Sequence, residues 1–269
     1  MNVIFRTLLA RPALVAYRCR WPRVSLWLDR SRREVIVEAG NFLTQEGLMP
    51  SGRSVAELAR VWPRLSRALW ARTTPETFYR SWDGEAGASN LAASAVGQFS
   101  RPYVAAGFFR HLRGFQGRIL DYGCGTATLS MAWRRDFAPD AVLYLADVDN
   151  LARRFVQWRL DRSVDRHVDM VTLDLEGIPD CSLDVVFCLD VLEHLKNPSE
   201  VFFAVDRKLK NGGLLFLQAP WGGGFEHLDE APVDWEKRGG AARLVSGYRL
   251  QSRLKPWGDL SGVFLKVGR

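Results

Sequence analysis

The chain has 269 residues, of which 47% are apolar and 25% charged, and its formal net charge is +7. That length supports a full-sized core without disulfide staples, and the composition argues against wholesale disorder. No apolar run approaches the ~20 residues of a membrane-spanning helix. Cys19, Cys124, Cys181 and Cys188 form neither a CxxC pair nor a metal-ligand spacing with the four histidines. A reducing, cytoplasmic setting and no bound metal are therefore expected.

The charge is unevenly spread. Residues 1–100 hold 14 Arg and no Lys against eight acids, whereas residues 101–269 hold 23 basic and 22 acidic residues. Residues 1–33 carry eight of those Arg against Asp29 alone, with Trp21 and Trp27 among them. Three readings compete: a solvated arginine-rich face, a peripheral contact with an anionic membrane surface, and an organelle transit peptide. Nucleic-acid binding is disfavoured, because phosphate contacts dominate such affinity and the second half of the chain is nearly neutral.

In chain order, residues 1–100 read as helices. Val55, Leu58, Ala59, Trp62, Leu65, Leu69 and Trp70 recur at helical spacing, with a break expected at Pro63. The Gly, Ala and Ser richness of residues 83–100 reads as a loop and linker. This divides the chain into a basic helical segment, 1–100, acting as lid or docking element, and a second domain, 101–269. From there strands and helices alternate. A helix over 103–112 is followed by strands at 118–121, 142–147, 168–174, 185–189 and 214–219. Helices at 126–137, 151–160 and 198–209 lie between them, the last with Pro198 at its start and Gly212 past its end. Segments 249–254 and 263–267 suit a final antiparallel pair. Repeated strand–helix units of this length imply an α/β fold: a mostly parallel sheet with helices on both faces.

The most informative segment is Ile119-Leu120-Asp121-Tyr122-Gly123-Cys124-Gly125-Thr126-Ala127. A buried strand runs into a Gly-x-Gly turn and then a helix, and glycine lets a ligand lie against bare backbone. A dinucleotide fold wants a third Gly three residues after the second, where Thr128 stands. No tyrosine is followed by Lys four residues later, as a short-chain dehydrogenase would require. Asp121 would repel a pyrophosphate but suit a cationic amino group; capping of the turn is its simpler reading. Asp147, 24 residues after Gly123, stands where an acid accepts from a ribose diol. Asp149 competes with it from deeper in the loop. Asp174 could accept from an adenine amine, or merely cap a turn.

These residues resemble the first motif of class I S-adenosylmethionine-dependent methyltransferases. Asp147 falls at that family's ribose-binding acid. The run Ser182-Leu183-Asp184-Val185-Val186-Phe187-Cys188-Leu189-Asp190-Val191-Leu192-Glu193-His194-Leu195 resembles the fourth-strand segment of the small-molecule branch, typified by ubiquinone-biosynthesis O-methyltransferases. Leu209-Lys210-Asn211-Gly212-Gly213-Leu214-Leu215 resembles its fifth-strand turn. The likeness covers about residues 103–220 and leaves out 1–100.

The resemblance implies a Rossmann-like seven-stranded sheet, its last strand inserted antiparallel, with S-adenosyl-L-methionine as cofactor. Asp121, Gly123 and Gly125 would line its methionine part, Asp147 the ribose and Asp174 the adenine amine, with Asp190 facing the pocket. The Asn/Asp-Pro-Pro-aromatic tetrapeptide of nucleic-acid amino-methyltransferases is replaced by Asp190-Val191-Leu192-Glu193, which argues against base N-methylation. O-methylation of a small or lipid-like acceptor is the expected activity. A hydroxyl acceptor needs its proton removed, and His194 and then His227 are the candidate bases, each with a purely structural alternative. Tyr79, Trp82 and Tyr103 could close over the cofactor or belong to the core. Two further readings stand beside this one: a non-catalytic assembly protein that keeps the fold, and an RNA- or protein-directed methyltransferase gripping through its arginines.

Overall fold

The computed structural model of the chain describes residues 22–97, 102–163, 165–222, 224–254 and 260–268. Trp21 and the arginines at 6, 11, 18 and 20 lie outside the described residues. Five helices come first: α1 (Pro22–Gln45), α2 (Val55–Trp70), α3 (Pro75–Phe78), α4 (Gly84–Gly97) and α5 (Pro102–His111). A short 3-10 turn, Tyr79–Ser81, follows α3. The alternating part runs β1 (Arg118–Tyr122), α6 (Thr128–Phe137), β2 (Val142–Ala146), α7 (Leu151–Asp161), β3 (Val168–Val171) and β4 (Leu183–Leu189). It continues with α8 (Pro198–Lys208), β5 (Leu209–Ala219), α9 (Glu230–Lys237), α10 (Gly240–Gly247), β6 (Tyr248–Ser252) and β7 (Leu260–Lys266).

The seven strands form one sheet in the order β3-β2-β1-β4-β5-β7-β6. The first five are mutually parallel, and β7 runs antiparallel between β5 and β6. The chain moves outward from β1 to β3 and then returns to lay β4 beside β1. That reversal opens a crevice at the carboxyl ends of β1 and β4, where open α/β sheets bind ligands.

Both sheet faces are covered, so the strands are apolar on both sides. Ile119, Val185, Phe187 and Phe216 face one core shared with α1, α4, α5, α6 and α7. Leu120, Val186, Cys188 and Leu217 face a second core with α8, α9 and α10. The second face is stitched by buried Asp206 of α8, which accepts from Arg243 Nε (2.9 Å) and Tyr248 Oη (2.7 Å) and pairs with Lys266 Nζ (3.1 Å). Salt-bridged carboxylates of this kind sit below their ordinary range, as Asp206 does despite its burial.

Five expectations change. Residues 84–97 are not a loop but helix α4, with Ala88, Leu91, Ala92 and Ala95 fully buried. Their small side chains reflect close helix packing rather than flexibility: a Cβ on Gly87 would stand 2.6 Å from Trp82 O. Helix α2 runs through Pro63 unbroken, anchored by a capping box at Ser54 and Glu57. Gly212 does not end α8; β5 starts directly at Leu209 and Gly212 sits within it at φ 80°. Strand β3 stops at Val171, so Asp174 lies in a turn beyond it. Trp27 is no surface anchor: it is 6% exposed, packed edge-on against Phe109 and Phe137, with Nε1 donating to Asp136 Oδ2 (2.8 Å).

Candidate active site

The turn after β1 is built by its glycines. Gly123 and Gly125 adopt φ 69° and 55°, values that side chains resist. The N–H groups of Gly123 and Cys124 both donate to Ala146 O at the end of β2 (2.8 and 3.1 Å). The loop is thereby pinned across the carboxyl ends of β1 and β2. A Cβ on Gly123 would collide with Val191 Cγ2. The bare backbone therefore makes room for the loop after β4 as well as for a ligand.

The predicted acids are placed as follows. Asp121 lines the crevice with Gly123, Cys124, Ser130, Phe187 and Leu189, and it accepts from Ser130 Oγ at 2.5 Å. Asp147 follows β2 and accepts from Gly125 N–H (2.5 Å) and Val148 N–H (2.7 Å) through different oxygens. Burial pushes its carboxyl up to about 6 against the pull of those two donors and of Arg153. Asp149 is exposed. Asp174 is exposed and caps its own turn, accepting from Thr172 Oγ1 (2.6 Å) and Glu176 N–H (3.0 Å). Asp190 directly follows β4 in the left-handed region, at φ 58°, where Asp is among the tolerated residues. Its N–H donates to Gln218 O (2.8 Å) and its Oδ1 accepts from Gln218 Nε2. No spacing in the sequence points to Gln218. It is found only because β5 pairs with β4.

The histidines converge although 32 residues separate them. His194 closes a 3-10 turn after β4, its N–H bonded to Val191 O (3.1 Å). His194 and His227 rings meet edge to face, with centroids 5.0 Å apart. His194 Nδ1 lies 3.1 Å from Glu226 O, and His227 Nδ1 lies 3.1 Å from Gly222 O. A carbonyl only accepts, so each Nδ1 carries the proton and each neutral ring has its lone pair on Nε2. Buried Glu193 adds a carboxylate, Oε1 standing 3.8 Å from His194 Nε2. One ligand atom from each of Glu193, His194 and His227 lies within 4.8 Å of the others, a set able to hold a proton between them or a divalent cation. Sequence spacing hid this, because the third member arrives from the loop after β5. Gly224 makes that loop fit, since a Cβ there would stand 2.8 Å from the His227 ring.

The N-terminal helices reach the same place. The Tyr79 ring meets His194 at a tilt, with centroids 5.2 Å apart, and Trp82 edge to face at 4.8 Å. Asn150 Nδ2 donates to Tyr79 O (3.1 Å) and Leu151 N–H to Trp82 O (3.2 Å), fixing this segment over the loop between β2 and α7. Ion pairs Lys196–Glu76 and Arg154–Asp83 add two surface latches. Tyr103 is half-buried against the first core.

Residues 120–215 match the family model described as a methyltransferase domain. Over these residues the chain is similar to a methyltransferase domain. It is similar to the ubiquinone biosynthesis O-methyltransferase of Xanthomonas oryzae pv. oryzae (strain PXO99A), 36% identical over 100 residues, 37% of this chain and 41% of the relative. The protein of that name from Xanthomonas axonopodis pv. citri (strain 306) is 32% identical over 138 residues, 51% of this chain and 55% of the relative. The chain thus spans about half the length, or less, of these curated relatives. Among solved structures, a SAM dependent methyltransferase from Aquifex aeolicus is 15% identical with a TM-score of 0.43, covering 60% of this chain and 86% of that one. Haemonchus contortus phosphoethanolamine N-methyltransferase 2 in complex with S-adenosyl-L-methionine is 21% identical with a TM-score of 0.38, covering 42% and 26%.

The residues of this crevice suit S-adenosylmethionine. A positive-φ glycine turn leaves backbone bare beside Asp121, and the Asp147 carboxylate stands at the next strand end. Nothing in that turn supplies the third glycine a pyrophosphate would want, since Thr128 is fully buried in α6.

Proposed function

We propose that the chain transfers a methyl group from S-adenosylmethionine to an oxygen of a small-molecule acceptor. Asp121, Gly123 and Gly125 hold the methionine part of the cofactor, Asp147 the ribose diol, and Asp190 shapes the wall opposite. Asp174 is left for the adenine amine through the lone pairs that its turn does not use. The bound cofactor supplies an electrophilic methyl group on a sulfonium.

The protein's share is alignment and proton removal. Val191 packs on Gly123 and accepts the His194 N–H, so the glycine turn and the imidazole are braced by one residue. His194 Nε2 takes the acceptor's hydroxyl proton, and His227 and Glu193 hold the charge that results. Holding donor and acceptor in line contributes up to ~7–11 kcal/mol of the barrier. Ahead of the matched residues, the turn Tyr79–Ser81 lies against His194 through the Tyr79 ring and would bound the acceptor from that side. The observation that carries this reading is the pair of imidazoles in contact, each with Nδ1 on a carbonyl, His194 following the Val191 that packs on the glycine turn.

The test is methyl transfer from labelled S-adenosylmethionine to catechol, a flat hydroxyl acceptor suited to aromatic walls. Turnover is expected, and His194→Gln should lower kcat by roughly 10²–10⁴ while cofactor affinity stays the same. Cofactor binding without methylation of any hydroxyl acceptor would support the assembly-protein alternative instead.

A further inference from the structure

The helical segment ahead of the matched residues carries two buried polar atoms that the fold does not use, on rings that pack on each other and, through Tyr79, on His194. Tyr79 Oη and Trp82 Nε1 are both buried, and neither has a hydrogen-bond partner among the described residues. Tyrosine and tryptophan usually find a partner when buried, and leaving such a group without one costs free energy. These two orphans lie three residues apart, on one 3-10 turn and its end, with their rings in contact.

Their positions are set by other contacts. The backbone at Tyr79 and Trp82 is held by Asn150 and Leu151. The rings are held by packing on each other and on Phe78, with Trp62 against Trp82. Neither polar atom is needed to hold its own ring. The Tyr79 ring also rests on His194, the proposed base. Burial first, then the carboxylates of Glu226 and Glu193, push the phenol of Tyr79 up. The hydroxyl therefore keeps its proton and acts as a donor, not a base.

We propose that Tyr79 Oη, seconded by Trp82 Nε1, donates a hydrogen bond to an oxygen of the methyl acceptor and so positions that acceptor over His194. The inference rests on the methyl-transfer reading above and assigns acceptor recognition to residues outside the matched domain. Tyr79 is a positioning and selectivity residue: an acceptor with a second oxygen beside the methylated one satisfies it, and one without leaves it unpaired.

Tyr79→Phe tests this, because it keeps the ring and removes only the hydroxyl. With saturating S-adenosylmethionine, KM for catechol should rise about tenfold, kcat should stay within about twofold, and S-adenosylhomocysteine affinity should not move. Phenol, which lacks the second oxygen, should be used equally by both forms. The melting temperature should be unchanged or higher, since a hydroxyl without a protein partner adds no stability. An unchanged KM, a shift in cofactor affinity instead, or a loss of several degrees in melting temperature would overturn the proposal. A wild-type chain that binds S-adenosylhomocysteine yet methylates no catechol would count against the function proposed above. The melting comparison would still judge Tyr79.

Discussion

Asp147 is the residue whose titration bears on the proposed function. Its carboxyl is pushed up to about 6 by burial, from an ordinary 3.8. The ionised form has the lone pairs to accept from a diol, whereas the protonated form loses an acceptor. Affinity for S-adenosylhomocysteine should therefore rise with pH through about 6, and binding near that pH should release protons. Calorimetry in two buffers of different ionisation enthalpy reads this directly. Asp147→Asn should flatten the profile, and a flat wild-type profile would remove Asp147 from the site. Gly123 is the second key residue. Gly123→Ala should cost about 1–3 kcal/mol of stability for its left-handed backbone and weaken cofactor binding at least tenfold. Adding Val191→Ala should recover the steric part but not the backbone part, as a double-mutant cycle would show. The obstacle is a neighbouring side chain, so ligand volume alone does not explain this glycine. At this scale the sequence was informative about acids that end strands, because strand ends are legible from apolar runs. It was silent about Gln218 and the His194–His227 meeting, which depend on pairing between distant segments.

Among the elements, β1 to β4 and the helices between them were read to within a few residues, since buried parallel strands are continuous apolar runs bounded by turns; β5 begins five residues earlier than expected, and α9 and α10, between β5 and β6, were not anticipated. Helix α4 was missed because Gly, Ala and Ser are both loop formers and the residues that let helices approach closely. Trp27 was misplaced for a related reason: an arginine-rich helix looks like a surface element, yet α1 buries one full stripe against the sheet's first core. Trp27→Ala should cost about 3–5 kcal/mol, measured as a lower urea midpoint. A cost below about 0.5 kcal/mol, the level of an ordinary surface substitution, would return Trp27 to a surface role.

For the whole molecule, the excess charge lies in the first 100 residues, and among the described residues no helix is long and apolar enough to cross a membrane. Exposed Leu26 and Val37 share an outward side of α1 with Arg33. Removing residues 1–21 spares Val24, Trp27 and Leu28, which belong to the core. We propose that this truncated chain keeps cofactor affinity and loses binding to anionic vesicles. Equal vesicle binding by both forms in co-sedimentation would refute a membrane role for residues 1–21. The crevice at the carboxyl ends of β1 and β4 remains the centre of the molecule, and titration of S-adenosylhomocysteine into the full chain interrogates it most directly. One saturable site, weakened at least tenfold in Gly123→Ala and untouched by NAD, is the expected result; no heat at millimolar ligand, or displacement by NAD, would contradict it.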